Sequence, residues 1–368
     1  MRVPGRVERL DERRVAITSV VRYSEPTEVS GCLRILDLER GRVSFVTPAP
    51  ESTFRREDPN PRGGTRGTRG VSAYGDRIVV ANAERLFVFD TSWNLVSELS
   101  DRLMVDVHDV LAEERGVWVT ATGIDLLLLV TWDGRLEHAW PLRDDRKLLK
   151  ELGFRKLPLP WIDRGLDLRN PELRDSEYVR FHLNSLGRSS SGLLLSFGRI
   201  WPEEDTPNRT ASSALVRLIE NGAAKPRLEI LHRSENLRVP NHNIAEDGDL
   251  LMYNDSNRHV LVAYDRARDE VRSEVPIPGS PPYVRGLARI GSDVWLVGSQ
   301  APLAVHAVDL RRGQLVASYP LGGVHDEVVY GICPLPEAFD DPRQPLGSDP
   351  YEFWHRAALG AQTTGSTG

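Results

Sequence analysis

The chain has 368 residues, of which 40% are apolar and 27% charged, and its formal net charge of −6 corresponds to a sequence pI of about 5.9. This composition is typical of a globular protein with enough apolar side chains for one large β domain or two ordinary domains. The acidic balance argues against a general nucleic-acid-binding protein, which would carry a clustered basic surface. The apolar run LLLLV at Leu126–Val130 has the length of a strand, and no run approaches the ~18 residues of a membrane span.

The N-terminal residues and the cysteines both indicate an intracellular protein. The first segment, MRVPGRVERLDERRV, contains no apolar stretch of the kind that a secretory signal needs. Cys32 and Cys333 are too few for a disulfide framework, which fits a reducing compartment. We therefore expect a cytoplasmic protein that has neither a membrane nor a nucleic acid as its partner.

Short apolar runs separated by turns dominate the chain from its start. Runs rich in Val, Leu, Ile, Trp and Tyr alternate with turns of Gly, Asp, Asn and Ser, which indicates β-strands rather than helices. Three candidate strands come first, namely RRVAITSVV, GCLRILDLERG and RVSFVTP. Five longer units of one form follow: RGVSAYGDRIVVAN, HDVLAEERGVWVTAT, NSLGRSSSGLLLSF, HNIAEDGDLLMYND and RGLARIGSDVWLVGS.

Each unit has the same order of residue types. A polar residue leads, a small or polar residue and an apolar residue follow, and a short turn then precedes a strongly apolar strand. A further segment, YGICPLP, begins in the same way before it meets proline. The leading residues lie at intervals of 39, 76, 58, 43 and 45 residues and are Arg69, His108, Asn184, His242, Arg285 and Tyr330. Such repetition is typical of a β-propeller, in which one four-stranded blade takes ~40–50 residues.

The repeat predicts an all-β fold, a six-bladed β-propeller that forms a single domain over residues 1–340. After most units a third strand follows, as in RLFVFD, HVLVAYD and AVHAVDL. The last unit lacks outer strands, and the N-terminal candidates supply them, so that Glu327–Pro334 becomes the inner strand of the closing blade. Closure by both termini removes exposed sheet edges. A five-bladed ring or an irregular all-β sandwich is the alternative.

Two segments lie outside the repeat. An insertion at 137–180 contains a predicted short helix near Asp144–Leu152. Blade-to-blade connections share the face on which propellers bind ligands, so the partly helical insertion is expected over the channel. The alternative is a long loop on the surface. Residues 341–368 are expected to form a C-terminal segment whose last residues are disordered.

The leading residues of the repeat predict a functional site in the central channel. Equivalent positions of inner strands face the channel together, so the six leading side chains are expected to converge there, with His182 one side-chain period above Asn184. The second strands of the blades end at the same mouth of the channel and bring further polar residues there: Asn82, Thr122, Arg199, Asn254 and Gln300. A lone histidine at a strand start is more often structural, but polar groups that converge in one cavity are the usual sign of a site.

Two chemistries fit this set of residues. Arginine, histidine and asparagine donors suit an anion such as sulfate, phosphate or carboxylate. Alternatively, His108, His182 and His242 could hold a divalent metal, iron, zinc or manganese. Two nearby arginines, Arg69 and Arg285, oppose a cation, whereas Asp106 and Asp109 could compensate, so both chemistries remain open.

A backup site lies in the sequence VHDE, just before the closing inner strand. It offers His325, Asp326 and Glu327, and loops at a channel mouth often carry function.

Two of the units resemble the bacterial arylsulfotransferase propellers. The resemblance rests on FHLNSL followed by LLLSFGR, and on NHNIAEDGDLLMYND, and it extends mainly over His108–Asp265. It implies that His182, Asn184 and Arg199 bind the sulfuryl group, that His108 is a further site histidine, and that His242 accepts the sulfuryl group. We expect neither the export signal nor the separate N-terminal domain of that family in this chain. The unit VRGLARIGSDVWLVGS is also similar to uncharacterised bacterial propeller proteins.

The main hypothesis is therefore an enzyme that acts on a small anionic or aromatic molecule in the channel. The resemblance implies sulfuryl transfer without a cofactor, with His242 as nucleophile and His108 as general acid or base, in specialised metabolism. The remaining channel residues, Arg69, Arg285 and Tyr330, would bind the substrate. One alternative is a metal-dependent lyase, hydrolase or oxygenase with three histidine ligands, and another is a non-catalytic ligand-binding propeller. The sequence does not indicate an oligomeric state.

Overall fold

The computed structural model describes most of the chain between residues 13 and 342. The described residues are 13–26, 28–58, 60, 64–154, 166–173, 178–200, 211–219, 227–235, 240–279 and 283–342. Part of the predicted insertion and the predicted C-terminal segment from residue 343 onward lie outside them. Within the described residues, no helix has the length and apolarity that would let it cross a membrane.

The described strands form six sheets of four antiparallel strands each, so the predicted six-bladed β-propeller is confirmed. The first three strands are β1 (Arg14–Val21), β2 (Cys32–Asp37) and β3 (Arg42–Pro48). Blade 1 follows with β4 (Val71–Tyr74), β5 (Arg77–Ala81), β6 (Leu86–Phe89) and β7 (Leu95–Leu99). Blade 2 consists of β8 (Val107–Glu113), β9 (Gly116–Ala121), β10 (Leu126–Thr131) and β11 (Leu136–Pro141).

The second half of the ring repeats the pattern. Blade 3 consists of β12 (Leu183–Ser189), β13 (Gly192–Ile200), β14 (Ser212–Ile219) and β15 (Arg227–Glu235). Blade 4 consists of β16 (Asn241–Asp247), β17 (Leu250–Asp255), β18 (Val260–Asp265) and β19 (Glu270–Pro276). Blade 5 consists of β20 (Arg285–Arg289), β21 (Val294–Ser299), β22 (Ala304–Asp309) and β23 (Gln314–Pro320). The last strand is β24 (Glu327–Pro334).

The second and third strands of each blade carry the apolar core because neighbouring blades cover both of their faces. All six residues of β9 and all six of β10 are buried, whereas the residues of β11 are only half-buried. One face of blade 2 packs Val119 and Leu128 against Val79 of blade 1. The other face packs Trp118 against Leu195 of blade 3. Burial on both faces explains why these strands are continuous apolar runs instead of alternating ones.

Strands from both ends of the chain close the ring, as the repeat predicts. The sheet order of this sixth blade is β24-β1-β2-β3. A fully buried ion pair joins its inner and third strands, because Arg34 Nη1 lies 2.6 Å from Glu327 Oε1. The inner strands β24, β4, β8, β12, β16 and β20 contact one another in that order around the ring and line the central channel.

The helix of the insertion packs at the outer edge of blade 3. The fourth strand of blade 2 runs to Pro141, so the insertion begins later than the predicted 137. Its helix α1 (Arg146–Leu152) begins after Asp145, whose carboxylate accepts hydrogen bonds from two backbone N–H groups of the first turn. The helix packs on β15, the outermost strand of blade 3, whereas the sequence predicts the insertion over the channel.

Candidate functional site

A β-bulge recurs near the same end of the described inner strands. The pairing register shifts where an extra residue is inserted in β8, β12, β16, β20 and β24. In β12 the unpaired residue is Asn184, and in β24 it is Tyr330. In β16 and β20 it directly follows His242 and Arg285. Bulges re-aim side chains and are common beside active sites, so the leading residues of these five units stand where strand geometry changes the direction of the side chains, whereas β4 pairs with β5 without a bulge.

His108 and Asn184 form a hydrogen-bonded pair between blades 2 and 3. The distance from His108 Nδ1 to Asn184 Oδ1 is 2.8 Å, and Asn184 Nδ2 donates to the carbonyl of Asn241 at 3.0 Å. Because the amide oxygen accepts, Nδ1 of His108 carries the proton and Nε2 keeps its lone pair. That Nε2 faces Asp106 Oδ2 at 3.5 Å. Burial lowers the pKa of His108, although Asp106 opposes the shift. His108 is thus a neutral base whose unprotonated nitrogen faces a carboxylate.

His182 stands beside His108 at the start of blade 3. The two rings are perpendicular, with centroids 4.9 Å apart. The Asp125 carboxylate holds the preceding backbone by accepting from the N–H groups of Arg180 at 2.5 Å and Phe181 at 3.0 Å. Burial lowers the pKa of His182 to about 3, and the neighbouring His108 adds to this shift. His182 is therefore also neutral at pH 7.

The predicted residue Arg199 lies on the neighbouring strand β13. Its backbone N–H donates to the carbonyl of Phe181 at 3.4 Å, just before His182. Its charge contributes to the lowered pKa of His182. The structure thus brings Arg199 near the mouth, where the sequence predicts it.

One ring nitrogen of His242 is held by a hydrogen bond, and the other keeps a lone pair that can react. Ser256 Oγ lies 2.5 Å from His242 Nδ1 and donates its own proton to the carbonyl of Val284 at 2.6 Å. Since the hydroxyl has a single proton, Nδ1 of His242 must donate to it, and Nε2 retains the lone pair. Burial, followed by the charge of Arg285, holds the pKa of His242 well below its usual range. A neutral imidazole with an oriented second nitrogen can act as a nucleophile or a general base.

Arg285 is a buried cation without an anionic partner among the described residues. It is 7% exposed, and its Nε is buried without a hydrogen-bond partner in the described part of the chain. Its guanidinium carbon lies 4.2 Å from the centroid of the Tyr330 ring and 5.0 Å from that of Tyr283. Arg22 stacks on Tyr283 at 4.0 Å and likewise has no ion pair or side-chain hydrogen bond with the residues described. Buried charges are normally paired, so Arg285 favours an anionic ligand, and the half-buried Arg22 adds positive charge beside it.

The acidic residues near the channel are already engaged. Asp106 binds Arg69 at 2.7 Å, and Arg69 also donates to the carbonyl of Val107 at 3.0 Å. Asp109 accepts from the backbone N–H groups of Val110 at 2.9 Å and Leu186 at 3.0 Å. Burial raises the pKa of Asp109 to about 7, so this carboxyl group is only partly ionised at neutral pH. The channel therefore keeps an excess of positive charge.

The six leading residues are brought together, although they do not share one role. Tyr330 of the closing blade contacts residues of the first two blades. Its ring centroid lies 5.8 Å from that of His108 and 5.7 Å from the guanidinium carbon of Arg69. Asn184 uses its amide to orient His108, so it is a positioning residue.

Several second-strand residues form structural links instead: Thr122 Oγ1 donates to the carbonyl of Leu183, and Asn254 Nδ2 donates to that of Gly286 at 3.1 Å.

The remaining second-strand residues are also accounted for. The side-chain oxygen of Asn82 accepts from the N–H groups of Glu84 at 2.9 Å and Arg85 at 2.8 Å, which stabilises a turn. Gln300 is buried at the end of the second strand of blade 5.

The sequence did not identify three residues of the site. Tyr283, which precedes Arg285 by two positions, lies 5.5 Å from the His242 ring. Ser256 and Arg22 follow β17 and β1, the second strands of their blades. The position just after a second strand is the signal that could have identified both, because those strands end at the same mouth.

The backup site does not form a single cluster. The side chain of His325 is 93% exposed and binds Asp326 at 2.8 Å. Glu327 is buried inside the closing blade and is engaged by Arg34 and by the hydroxyl of Ser19. Its three residues therefore point to different environments.

The metal alternative gains no support from the donor set. Within the described part of the chain, no three side chains of His, Cys, Asp or Glu are arranged so that they could hold a metal ion. The cations Arg22 and Arg285 beside the histidines would also repel a metal ion.

Comparisons with known proteins support the fold alone. No family model and no curated protein matches the chain. A protein of unknown function from Bacteroides caccae is similar with a TM-score of 0.52 and 9% identity, covering 89% of this chain and 100% of that chain. A chain of a nidogen/laminin complex has a TM-score of 0.48 and 11% identity, covering 88% of this chain and 98% of its own. Streptogramin B lyase has a TM-score of 0.45 and 12% identity, and the match covers 72% of this chain and 86% of the lyase chain.

Proposed function

We propose that the protein transfers a sulfuryl group from a small aryl sulfate to a phenolic acceptor through Nε2 of His242. The observation that carries the proposal is the pairing of a neutral, oriented His242 with Arg285, a buried cation that has no anionic partner in the described structure. A sulfate ester supplies the missing negative charge and places its sulfur within reach of a nucleophile. The resemblance of NHN and FHLN to the arylsulfotransferase propellers supports the same chemistry.

In the first half-reaction, the lone pair of His242 Nε2 attacks the sulfur of the donor. The nitrogen–sulfur bond forms while the bond from sulfur to the aryl oxygen breaks, and the aryl group leaves as a phenolate. Arg285 balances the charge on the sulfuryl oxygens, and the neutral His182 ring can donate an N–H to one of them. Ser256 keeps Nδ1 protonated, so that Nε2 remains the attacking atom.

In the second half-reaction, His108 activates the acceptor. Its Nε2 takes the proton of the acceptor hydroxyl, and the resulting oxygen attacks sulfur as the nitrogen–sulfur bond breaks. Asp106, 3.5 Å from that nitrogen, stabilises the imidazolium until the proton passes to solvent or to the phenolate product. The lowered pKa of His108 suits a base.

The decisive experiment is incubation of the protein with 4-nitrophenyl sulfate and phenol. We expect release of nitrophenolate, formation of phenyl sulfate, and an adduct with the mass of one SO3 group on the peptide that contains His242. His242→Asn should abolish all three, whereas His325→Ala, a change at an exposed histidine, should leave them unchanged. Wild-type transfer by His242→Asn would overturn the assignment.

Two further outcomes separate the alternatives. Binding of aryl sulfates without turnover would favour a non-catalytic binding propeller. Activity that appears only after addition of iron, zinc or manganese, together with about one metal per chain, would favour the metal-dependent alternative.

A further inference from the structure

A ladder of alternating arginines and tyrosines lines the mouth beside His242. Arg22 stacks on Tyr283 at 4.0 Å, Tyr283 lies 5.0 Å from Arg285, and Arg285 stacks on Tyr330 at 4.2 Å. The ladder combines residues of the closing blade with residues of blade 5. Tyr283 thus contacts the guanidinium groups of both Arg22 and Arg285. Each guanidinium group can bind a different part of one ligand.

Stacking on a ring does not satisfy a guanidinium group. The aromatic face attracts the cation, but the five N–H donors of the guanidinium lie in its own plane and point away from the stack. For Arg285 and Arg22, no hydrogen bond from those donors reaches a residue in the described part of the chain. The planar donor edges are suited to two-point binding of a carboxylate or a sulfate.

The nearby carboxylates do not neutralise Arg22. Its backbone N–H binds the carbonyl of Asp326 at 3.0 Å, yet the carboxylate of Asp326 binds His325 at 2.8 Å. Asp106 is engaged with Arg69. Arg22 is also close enough to His242 for its charge to contribute to the lowered pKa of that histidine. Its charge therefore acts on the reaction centre.

We propose that the substrate is a dianion, in which one anionic group binds at Arg285 beside His242 and a second anionic group binds at Arg22. The substrate class rests on the proposed function, whereas the preference for two charges does not. The two guanidinium carbons lie within 9.0 Å of each other, the sum of their distances to the Tyr283 ring. This upper limit leaves both guanidinium groups within reach of the para substituents of a single aromatic ring, such as an aryl sulfate that bears a carboxylate.

The test uses ligands that bind without reacting. A sulfonate has no ester bond to sulfur, so 4-sulfobenzoate serves as an inert dianion, and 4-carbamoylbenzenesulfonate is its matched monoanion. In calorimetric titrations, we expect the wild type to bind the dianion about 10-fold more tightly, as one charge-assisted contact provides. Arg22→Gln should bring this ratio close to one, and Arg22→Lys should retain most of it because the charge is kept.

Arg40→Gln is the matched control. Arg40 belongs to the same blade, but it is 69% exposed and lies in the turn between β2 and β3, so the ratio should stay at the wild-type value. Equal binding of both ligands by the wild type, or an unchanged ratio in Arg22→Gln, would overturn the dianion subsite. A ratio that depends on Arg22 in a protein without sulfuryl transfer would refute the proposed function and leave the subsite standing.

Discussion

The most direct physical prediction concerns Asp125, the carboxylate that holds the backbone before His182. Its side chain is fully buried, and one oxygen accepts from the N–H groups of Arg180 and Phe181. The other oxygen, Oδ1, has no hydrogen-bond partner among the residues that the structure describes. Burial raises the pKa of Asp125 from 3.8 to about 6, although these hydrogen bonds and the charge of Arg143 oppose the shift. The folded state therefore favours the protonated carboxyl group.

The sign and size of the effect follow from the two pKa values. Well below pH 3.8 both states are protonated, and the ionisation of the residue makes no difference to stability. As the pH rises, the unfolded chain loses its proton first, so the free energy of unfolding falls until about pH 6 and then stays constant. The full loss is about 3 kcal/mol, of which about 1.5 kcal/mol falls between pH 5 and pH 8.

Asp125→Asn removes this dependence while it retains a carbonyl oxygen for the two N–H groups. Asparagine also tolerates the left-handed backbone of residue 125, whose φ is 50°. In urea titrations followed by tryptophan fluorescence, the stability of the variant relative to the wild type should rise by about 1.5 kcal/mol from pH 5 to pH 8. The exposed control Asp76→Asn should show no such trend. A difference for Asp125→Asn that does not change with pH would refute the reasoning.

Two other substitutions test the packing around the site and the closure of the ring. Gly198→Ala would place a Cβ 2.0 Å from Asn184 Nδ2, so we expect lower thermal stability and lower transfer activity together; a variant with both intact would contradict the close packing. Glu327→Gln leaves the buried Arg34 without its charged partner and should lower the free energy of unfolding by about 3 kcal/mol in urea titrations. A loss below about 1 kcal/mol would show that the pair contributes little to closure.

The repeat in the sequence was enough to predict the fold, because each blade uses the same sequence of residue types. The intervals between Arg69 and Tyr330 predicted the number of blades, and the incomplete last unit predicted closure by the N-terminal strands. The position of helix α1 could not be read in the same way. Its apolar face, which includes Leu148 and Leu152, is equally compatible with any apolar surface, and only the folded chain shows that it packs on blade 3.

The candidate site was predictable as a group of residues, but its internal contacts were not. The leading positions converge because equivalent strands share a register, which the pattern records. The bulges change what each side chain meets: Asn184 turns to His108, although the resemblance implies that it binds the sulfuryl group. Tyr283 belongs to a connection between strands, where the repeat imposes no pattern, whereas Arg22 directly follows a second strand and could have been identified by that position.

In the proposed reaction, the charge of Arg285 has two effects: it attracts an anion, and it helps to keep His242 unprotonated. Burial is the main cause of the lowered pKa of His242, and the charge of Arg285 is the second. Before a ligand binds, both effects keep Nε2 unprotonated. An anion at Arg285 cancels the second effect and raises the pKa of His242, which strengthens the lone pair as a nucleophile at the moment when the sulfur is in place. In the proposed reaction, Arg285 therefore acts twice, first on the free histidine and then on the transferred group.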